Sequence, residues 1–542
     1  MQAIFGSLAR RQLAQQVSTR YNGGALITLA HAHNDASSNP GAGRVSEDLL
    51  SRLKDKDLAQ TLGYIGDEWT PASDGSTYPV MDPSTDEEIA RVANLKGRDT
   101  NAAIAAAHAA FPSWSKRTAK DRGAILRKWY ELVLAAQDDI CTLMTFESGK
   151  PFKESQAEFV GGVASIEWFA EQGRRVEGDI LQTVHGDRRQ LVIKQPVGVC
   201  ASITPWNFPF SMVTRKNAPA LAAGCTIVHK PAEQTPLTAL AMAKLAQRAG
   251  VPAGVYNVVS GDAAAIGNAM VQSDLVRKLG FTGSTRVGKM LMAGCADTVK
   301  RISMELGGNA PFIVFDDADV QSAAANVVAS AFRNAGQTCI CANRIFVQEP
   351  IAEEFEQAVV DNVRKLKLGG GMDPKTTLGP LIAPNAIERV KGHVDDALAQ
   401  GGRVLIGGSS PPDLQAPYSK GYFFQPTVIA DATPNMKIYR EETFGPAMPV
   451  FRFKYDEEAV KLANDSEYGL AGYFFTTDLS RAWRVAEQLQ YGMIGVNEVG
   501  ITSEVAPFGG VKHSGLGREH GKYGMDEFLE IKYIQMGLGY SN

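Results

Sequence analysis

From Gln190 onward short β-rich runs alternate with helical stretches, and this alternation limits the possible folds more than any other property of the chain. Val199 to Ile203 and Thr226 to His229 read as strands, and Tyr256 to Val259, Lys278 to Phe281 and Arg301 to Met304 continue the series. Between Thr235 and Gly250 lies a well-marked helix. Thr235 is its expected N-cap, Pro236 suits the first helical position and Gly250 closes the end. After Gly307 a second series begins, with strands expected at Phe312 to Phe315, Arg344 to Val347, Met448 to Phe453, Gly472 to Thr476 and Met493 to Asn497. Strand, helix, strand in repeated order requires crossover connections, and these give a parallel sheet covered on both faces. The fold class is therefore α/β, with two open parallel-sheet, Rossmann-like domains. Ahead of them, Asp99 to Phe111 and Ser115 to Glu147 carry apolar residues at three- and four-residue spacings and read as packing helices.

At 542 residues, 44% apolar and 21% charged, the chain has the composition of an ordinary globular protein with several cores. A net charge of -4 without a basic patch argues against a nucleic-acid partner. No apolar run is long enough to span a bilayer, so no membrane partner is expected. Six scattered cysteines do not form a secreted disulfide framework. The eight histidines are dispersed, and neither H-E-x-x-H nor paired C-x-x-C occurs, so no metal site is expected. A serine hydrolase lacks its G-x-S-x-G elbow. Residues 1–34 contain no Asp, Glu or Lys but carry Arg10, Arg11 and Arg20, which fits a mitochondrial presequence running into a linker from His33 to Gly43. Residues 1–43 are set aside on this ground, with the cytoplasm as the alternative location.

The most suggestive chemistry lies in FRNAGQTCICANR, Phe332 to Arg344. The preceding Ala-rich stretch reads as a helix stopping at Gly336, which leaves Gln337, Thr338 and Cys339 on a turn where a thiol can face a cleft. Taken alone, Cys339 is better explained as a small core residue than as a catalyst. HKPAE follows an expected strand, so Lys230 and Glu233 stand at a carboxyl end where open sheets bind ligands. FTGSTRVGK also follows a strand and opens a helix, placing the backbone N–H groups of Ser284 and Thr285 at a positive helix end suited to a pyrophosphate. It nearly spells a P-loop, but Met290 occupies the position that needs Ser or Thr, and the G-x-G-x-x-G spacing is absent.

These segments, together with ITPWNFP, MELGGNAPF, EETFGP and PFGGVKHSGLGRE, resemble the signatures of the aldehyde dehydrogenase superfamily, in that family's order, from about Leu58 onward. The C-x-C form preceded by Arg is similar to its succinate-semialdehyde-oxidising branch. The resemblance implies a cofactor-binding domain at 44–176 and 196–306, a catalytic domain at 307–522 and a bridging, oligomerising element at 177–195 and 523–542. It implies Cys339 as nucleophile, the Asn207 carboxamide and the Cys339 N–H as oxyanion donors, and Glu305 as the base that activates water. A carboxylate flanked by apolar residues and glycines can have its pKa raised toward the working range. The cofactor is expected to be NAD, with NADP as the alternative, held by Trp206, Lys230, Pro231, Ala232, Glu233, Gly283, Ser284, Thr285, Arg286, Val287, Gly288, Glu442 and Phe444.

A substrate bearing a carboxylate suits a guanidinium fork. Arg215 and Arg333, with Thr502 or Ser503 as hydroxyl partner, resemble the family's carboxylate clamp and imply oxidation of succinate semialdehyde to succinate. Glutarate semialdehyde is the alternative within the class. A thioester-forming acyl transferase or a non-catalytic homologue of the same fold is the alternative outside it. The resemblance also implies a homotetramer. Cys339 and Cys341, two apart in a segment expected to be extended, would share a face at the upper limit of disulfide reach and form a regulatory redox pair.

Overall fold

The computed structural model describes residues 43–539. The expected presequence and linker at 1–43 fall outside them except for Gly43. The first large sheet has eight strands, in the order Gly515–Leu516, Arg301–Glu305, Val276–Thr282, Val199–Ile203, Thr226–Lys230, Tyr256–Val258, Gly63–Ile65 and Glu68–Thr70. The middle five are parallel and the outer three antiparallel to their neighbours. Period-two alternation sends Cys200 and Ile227 into one apolar layer and Val199, Ala201, Ile203 and Val228 into the other. These strands carry no polar face, as expected of a sheet with helices on both sides.

Register sets Ile203 beside Lys230 and Phe281, and Thr282 beside Glu305. The carboxyl ends of these four strands are therefore level, and the segments leaving them share one edge. Thr204 to Asn207, Pro231 to Glu233, Gly283 to Ser284 and Leu306 to Gly307 all leave from that edge.

The second large sheet has seven strands, in the order Arg403–Ile406, Thr427–Ala430, Ala447–Phe453, Ala342–Gln348, Ala310–Val314, Ala471–Phe475 and Met493–Val496. All are parallel except the Arg403–Ile406 edge. Phe312, Ile345, Val450 and Tyr473 pack on one side, with Ile313, Phe346, Phe451 and Phe474 on the other. A smaller sheet pairs Leu529–Gly537 with Arg188–Pro196 along their whole length and adds Asp179–Leu181. Ile531, Tyr533 and Leu181 share one face of it and are 72%, 52% and 43% exposed, so this sheet has an uncovered apolar face.

Several local expectations change. The pattern from Ser115 to Glu147 is two helices, Ala119–Ala135 and Gln137–Ser148, with a break at Ala136, and a separate helix, Gly97–Ser115, precedes them. Strands Thr77–Asp82 and Glu87–Ala93 form a further sheet with Arg44–Val45 that the sequence pattern did not disclose. Helix Pro236–Ala249 is present and closes on Gly250 at φ 87°, but the Thr235 hydroxyl caps nothing. The carboxylate of Glu147, buried on another helix, accepts from the amides of Leu237 at 2.7 Å and Thr238 at 3.1 Å instead. A cap donated from a distant helix leaves no mark near position 235.

Candidate active site

The helix before Cys339 starts at an Asp319 cap, where Oδ1 accepts from the Ser322 amide, and ends at Ala331 rather than at Gly336. Asn334, Ala335 and Gly336 follow with φ of 50°, 55° and 75°, and three left-handed residues in succession cannot continue a right-handed helix. The loop is fixed from outside. The Asn334 amide donates to Glu154 at 2.8 Å, and the buried Gln337 side chain accepts from the Ile382 amide while donating to the carbonyls of Asn334 and Pro380. At Gly336 a Cβ would fall 2.2 Å from the Gly445 carbonyl oxygen, so only glycine lets the two loops meet.

The Cys341 amide donates to the Thr338 carbonyl at 3.1 Å. Thr338 to Cys341 is thus a turn with Cys339 and Ile340 at its corners, not the extended segment expected. Both thiols are free. Cys339 is half-buried, and Cys341 is buried with its thiol 4.0 Å from the Arg333 carbonyl. Cys339 stands just ahead of strand Ala342–Gln348, and Glu442 and Phe444 stand just ahead of Ala447–Phe453. The rule that ligands meet carboxyl ends describes the first sheet only, because the second presents its amino ends.

Cys339 lies where two cavities meet. The larger, about 440 Å³, is lined among others by Trp206, Asn207, Lys230, Ala232, Glu233, Gly283, Ser284, Val287, Glu442 and Phe444. Phe444, at φ 50°, meets Trp206 edge to face with ring centres 5.5 Å apart. Ser284 caps the helix Thr285–Ala296 at the cleft edge, and Lys230 is bonded to Glu233 at 2.8 Å. The Thr282 hydroxyl is buried in the cleft without a partner, as suits a site built for a polar ligand. Four expected cofactor residues, Pro231, Thr285, Arg286 and Gly288, do not line it. The Thr285 hydroxyl donates to the His513 carbonyl and accepts from the Gly307 amide, exposed Arg286 turns to Met290, and Gly288 packs on Leu306. Arg389, which lines the cleft and donates to the Thr443 carbonyl, was missed.

The smaller cavity, about 190 Å³, gathers Arg215, Arg333, Cys339, Thr502 and Ser503. Arg215 is buried, with its guanidinium over the Phe508 ring at 4.5 Å and Nη1 3.6 Å from Glu519. Its Nε and Nη1 have no hydrogen-bond partner among the described residues. A buried cation left short of acceptors has been desolvated without full return, and a carboxylate in the cavity would supply what is missing. Arg333 is exposed, over the Phe208 ring at 5.2 Å.

Asn207 lines the larger cavity beside Cys339. Its Nδ2 donates to the Gln337 carbonyl at 3.0 Å, leaving the second amide hydrogen unassigned. Its carbonyl accepts from Asn334 Nδ2 and from Lys150 Nζ, the latter paired with Glu158 in full burial. Burial, followed by the Glu442 carboxylate, pushes the Cys339 thiol up to about 12, with Arg215 opposing. Cys339 thus rests as a thiol.

Glu305 lines neither cavity. It ends its strand in a buried cluster with Glu519, Lys216, Arg215 and Arg518, where Lys216 and Glu519 form an ion pair. Burial and then the Glu519 charge hold the Glu305 carboxyl well above the usual carboxylate range, against the three cations. Lys216 and Glu519 are 303 residues apart, so no local pattern announced them.

The chain matches the family described as the aldehyde dehydrogenase family over residues 69–534. It is 52% identical to a mitochondrial succinate-semialdehyde dehydrogenase of rice, over 90% of this chain and 92% of that one. It is 51% identical to an NADP-dependent succinate-semialdehyde dehydrogenase of Escherichia coli, over 90% of this chain and all of that one. A solved succinate-semialdehyde dehydrogenase from Burkholderia pseudomallei superposes with a TM-score of 0.88 at 51% identity, covering 90% and 99% of the two chains.

Proposed function

Since this chain belongs to the aldehyde dehydrogenase family and is an oxidoreductase, we propose that it oxidises succinate semialdehyde to succinate. The observation that carries this reading is the buried Arg215, whose Nε and Nη1 lack partners in a cavity shared with Cys339. A nicotinamide dinucleotide, when bound in the larger cleft, supplies the two-electron acceptor. Lys230 and Glu233 at a strand end, Ser284 at a helix start and the partnerless Thr282 hydroxyl suit such a ligand.

The chain's own residues do the rest. Arg215 and Arg333 hold the carboxylate so that the carbonyl carbon reaches Cys339. The thiol gives up its proton to solvent in the cleft and the sulfur adds to the carbonyl carbon, whose π electrons move to the oxygen. Asn207 Nδ2 and the Cys339 N–H take the developing oxyanion. Once the acyl group is a thioester, Glu305 takes a proton from the attacking water and passes it toward the Glu519 and Lys216 pair. This last role requires Glu305 to swing out of its buried cluster toward Cys339.

NAD is the proposed preference, because the Glu233 carboxylate repels a 2′-phosphate. The mitochondrial matrix is the proposed location, supported by the rice relative's name and the arginine-bearing, acid-free amino terminus. A homotetramer built through the sheet of Arg188–Pro196 and Leu529–Gly537 would cover its apolar face. The Cys339 and Cys341 redox pair requires the turn to open. It is tested by comparing dithiothreitol recovery of wild type and Cys341→Ala after mild peroxide, since identical recovery would remove the switch. The function itself is tested by following reduced nicotinamide with succinate semialdehyde, glutarate semialdehyde and butanal, each with NAD and with NADP. Equal kcat/KM for butanal and succinate semialdehyde would refute the substrate assignment.

A further inference from the structure

His520 takes no part in the steps above, yet its conformation and place call for a role. Its backbone has φ 61° and ψ 178°, a region entered almost solely by glycine. It carries an imidazole nonetheless, 2% exposed, that lines the smaller cavity with Cys339, Arg215, Arg333 and Ser503. Strain of this kind persists only where the surroundings fix it. Here the next residue is tied at both ends, with the Gly521 amide donating to the Glu504 carbonyl at 2.9 Å and Trp168 Nε1 donating to the Gly521 carbonyl at 3.3 Å.

Within hydrogen-bond distance the ring is held on one side. Nε2 lies 2.9 Å from Ser165 Oγ, whose own hydrogen goes to the Gly161 carbonyl at 3.3 Å. Ser165 therefore accepts from Nε2–H, and in the neutral ring the lone pair sits on Nδ1. That nitrogen is buried without a hydrogen-bond partner among the described residues, as are Nε and Nη1 of Arg215 in the same cavity.

Resting on the carboxylate reading of this cavity, we propose that His520 is a specificity-determining residue: when an ω-carboxylate arrives beside Arg215, Nδ1 takes a proton from solvent and donates a hydrogen bond to it. Charged aldehydes then bind with proton uptake and neutral ones without. No bond of the substrate changes in this step.

The cations around the ring keep it neutral until a carboxylate arrives. Arg215 and Lys216 approach from helix Ser211–Ala223, Arg333 from the Cys339 loop, Glu504 from the loop that carries Ser503, Glu519 from the adjoining residue and Glu158 from helix Phe152–Gln172. Glu519 and Glu158 are already paired with Lys216 and Lys150. In the free protein burial, then Arg215, hold the imidazole well below its ordinary value, against a contact with the Ser503 backbone that falls short of a hydrogen bond. A carboxylate offsets the Arg215 charge and offers Nδ1 an acceptor, and both changes favour the protonated ring.

The test uses 4-oxopentanoate, a ketone that keeps the carbonyl-to-carboxylate spacing of succinate semialdehyde but cannot be oxidised. It is titrated calorimetrically near neutral pH, in buffers of different ionisation heat, into wild type and His520→Gly. Glycine suits the backbone at this position, so folding is retained and is checked by the thermal midpoint. Wild type should take up about one proton on binding. His520→Gly should take up none and bind about tenfold more weakly. His520→Asn, whose amide donates without titrating, should recover affinity without proton uptake. Neutral pentan-2-one should bind wild type and His520→Gly alike.

Equal proton uptake and equal affinity in wild type and His520→Gly would overturn the proposal. If 4-oxopentanoate binds wild type well but without uptake, the His520 proposal falls while the carboxylate reading stands. If it binds no better than pentan-2-one, both fall.

Discussion

The guanidinium of Arg215 lies over the ring of Phe508 at 4.5 Å and reaches only to 3.6 Å from its anionic neighbour Glu519. The aromatic face supports the cation without using its N–H groups, which keeps Nε and Nη1 available to the cavity. Arg215→Ala should therefore raise KM for succinate semialdehyde by about 10- to 100-fold, the worth of a charged hydrogen bond in a buried site, with much less effect on butanal. Exposed Arg333 is screened by water, so Arg333→Ala should cost less on the same comparison. Steady-state kinetics on both aldehydes decide the matter, and equal losses on both would indicate a folding or cofactor defect.

In the proposed mechanism Cys339 and Glu305 belong to different steps, and their variants should fail differently. Cys339→Ala should abolish dehydrogenase turnover. Glu305→Gln should still acylate, releasing a burst of reduced nicotinamide close to one equivalent before stalling, as stopped-flow absorbance would show. A Glu305→Gln enzyme with full steady-state turnover would exclude this carboxylate from the mechanism.

The Glu519 charge, second to burial, helps hold the Glu305 carboxyl above its ordinary value. A base must be ionised to act, so hydrolysis of the thioester should rise with pH through that elevated value. Glu519→Gln removes a like charge and frees Lys216 to favour ionised Glu305, so the rising limb of kcat should move to lower pH. A limb that stays in place, or moves to higher pH, would separate the two carboxylates.

At the strand end, Glu233 accepts from Lys230 at 2.8 Å. Glu233→Ser should remove the repulsion toward a 2′-phosphate and leave Lys230 free to meet it, raising kcat/KM with NADP relative to NAD by about tenfold or more. Comparable kcat/KM for the two cofactors in wild type would remove the proposed preference.

Glu147 should matter for stability rather than catalysis. Glu147→Leu would leave the buried amides of Leu237 and Thr238 without acceptors at about 1 to 3 kcal/mol each, whereas Glu147→Gln keeps one acceptor oxygen and should lose less. Denaturant unfolding of the two variants would show whether the order holds.

The parts of this protein legible in the sequence are those whose causes are local. The buried strands of both sheets announce themselves because a run such as VCASI or APFIV has no polar face, and Gly250 marks a helix end because its φ is positive. Strands such as Glu68–Thr70 are short and mixed in polarity, and their pairing comes from distant partners. The same division runs through the site. Cys339, Lys230 and Ser284 sit in motifs next to turns, but the Glu147 cap, the Lys216 and Glu519 pair and the ring of His520 gain meaning only from residues brought in from elsewhere. The left-handed run at Asn334 and Ala335 was hidden for the related reason that neither residue type requires it, and contacts from Glu154, Pro380 and Ile382 hold the loop in that shape.

The union of Lys216 with Glu519 across 303 residues also bears on how the protein is made. A ribosome releases Cys339 well before it releases the segment that closes the smaller cavity and completes the cluster around Glu305. The nascent chain therefore carries a cysteine turn with no finished pocket until synthesis is nearly over. Premature stops upstream of Glu519 should yield chains that lack dehydrogenase turnover however well their first sheet folds.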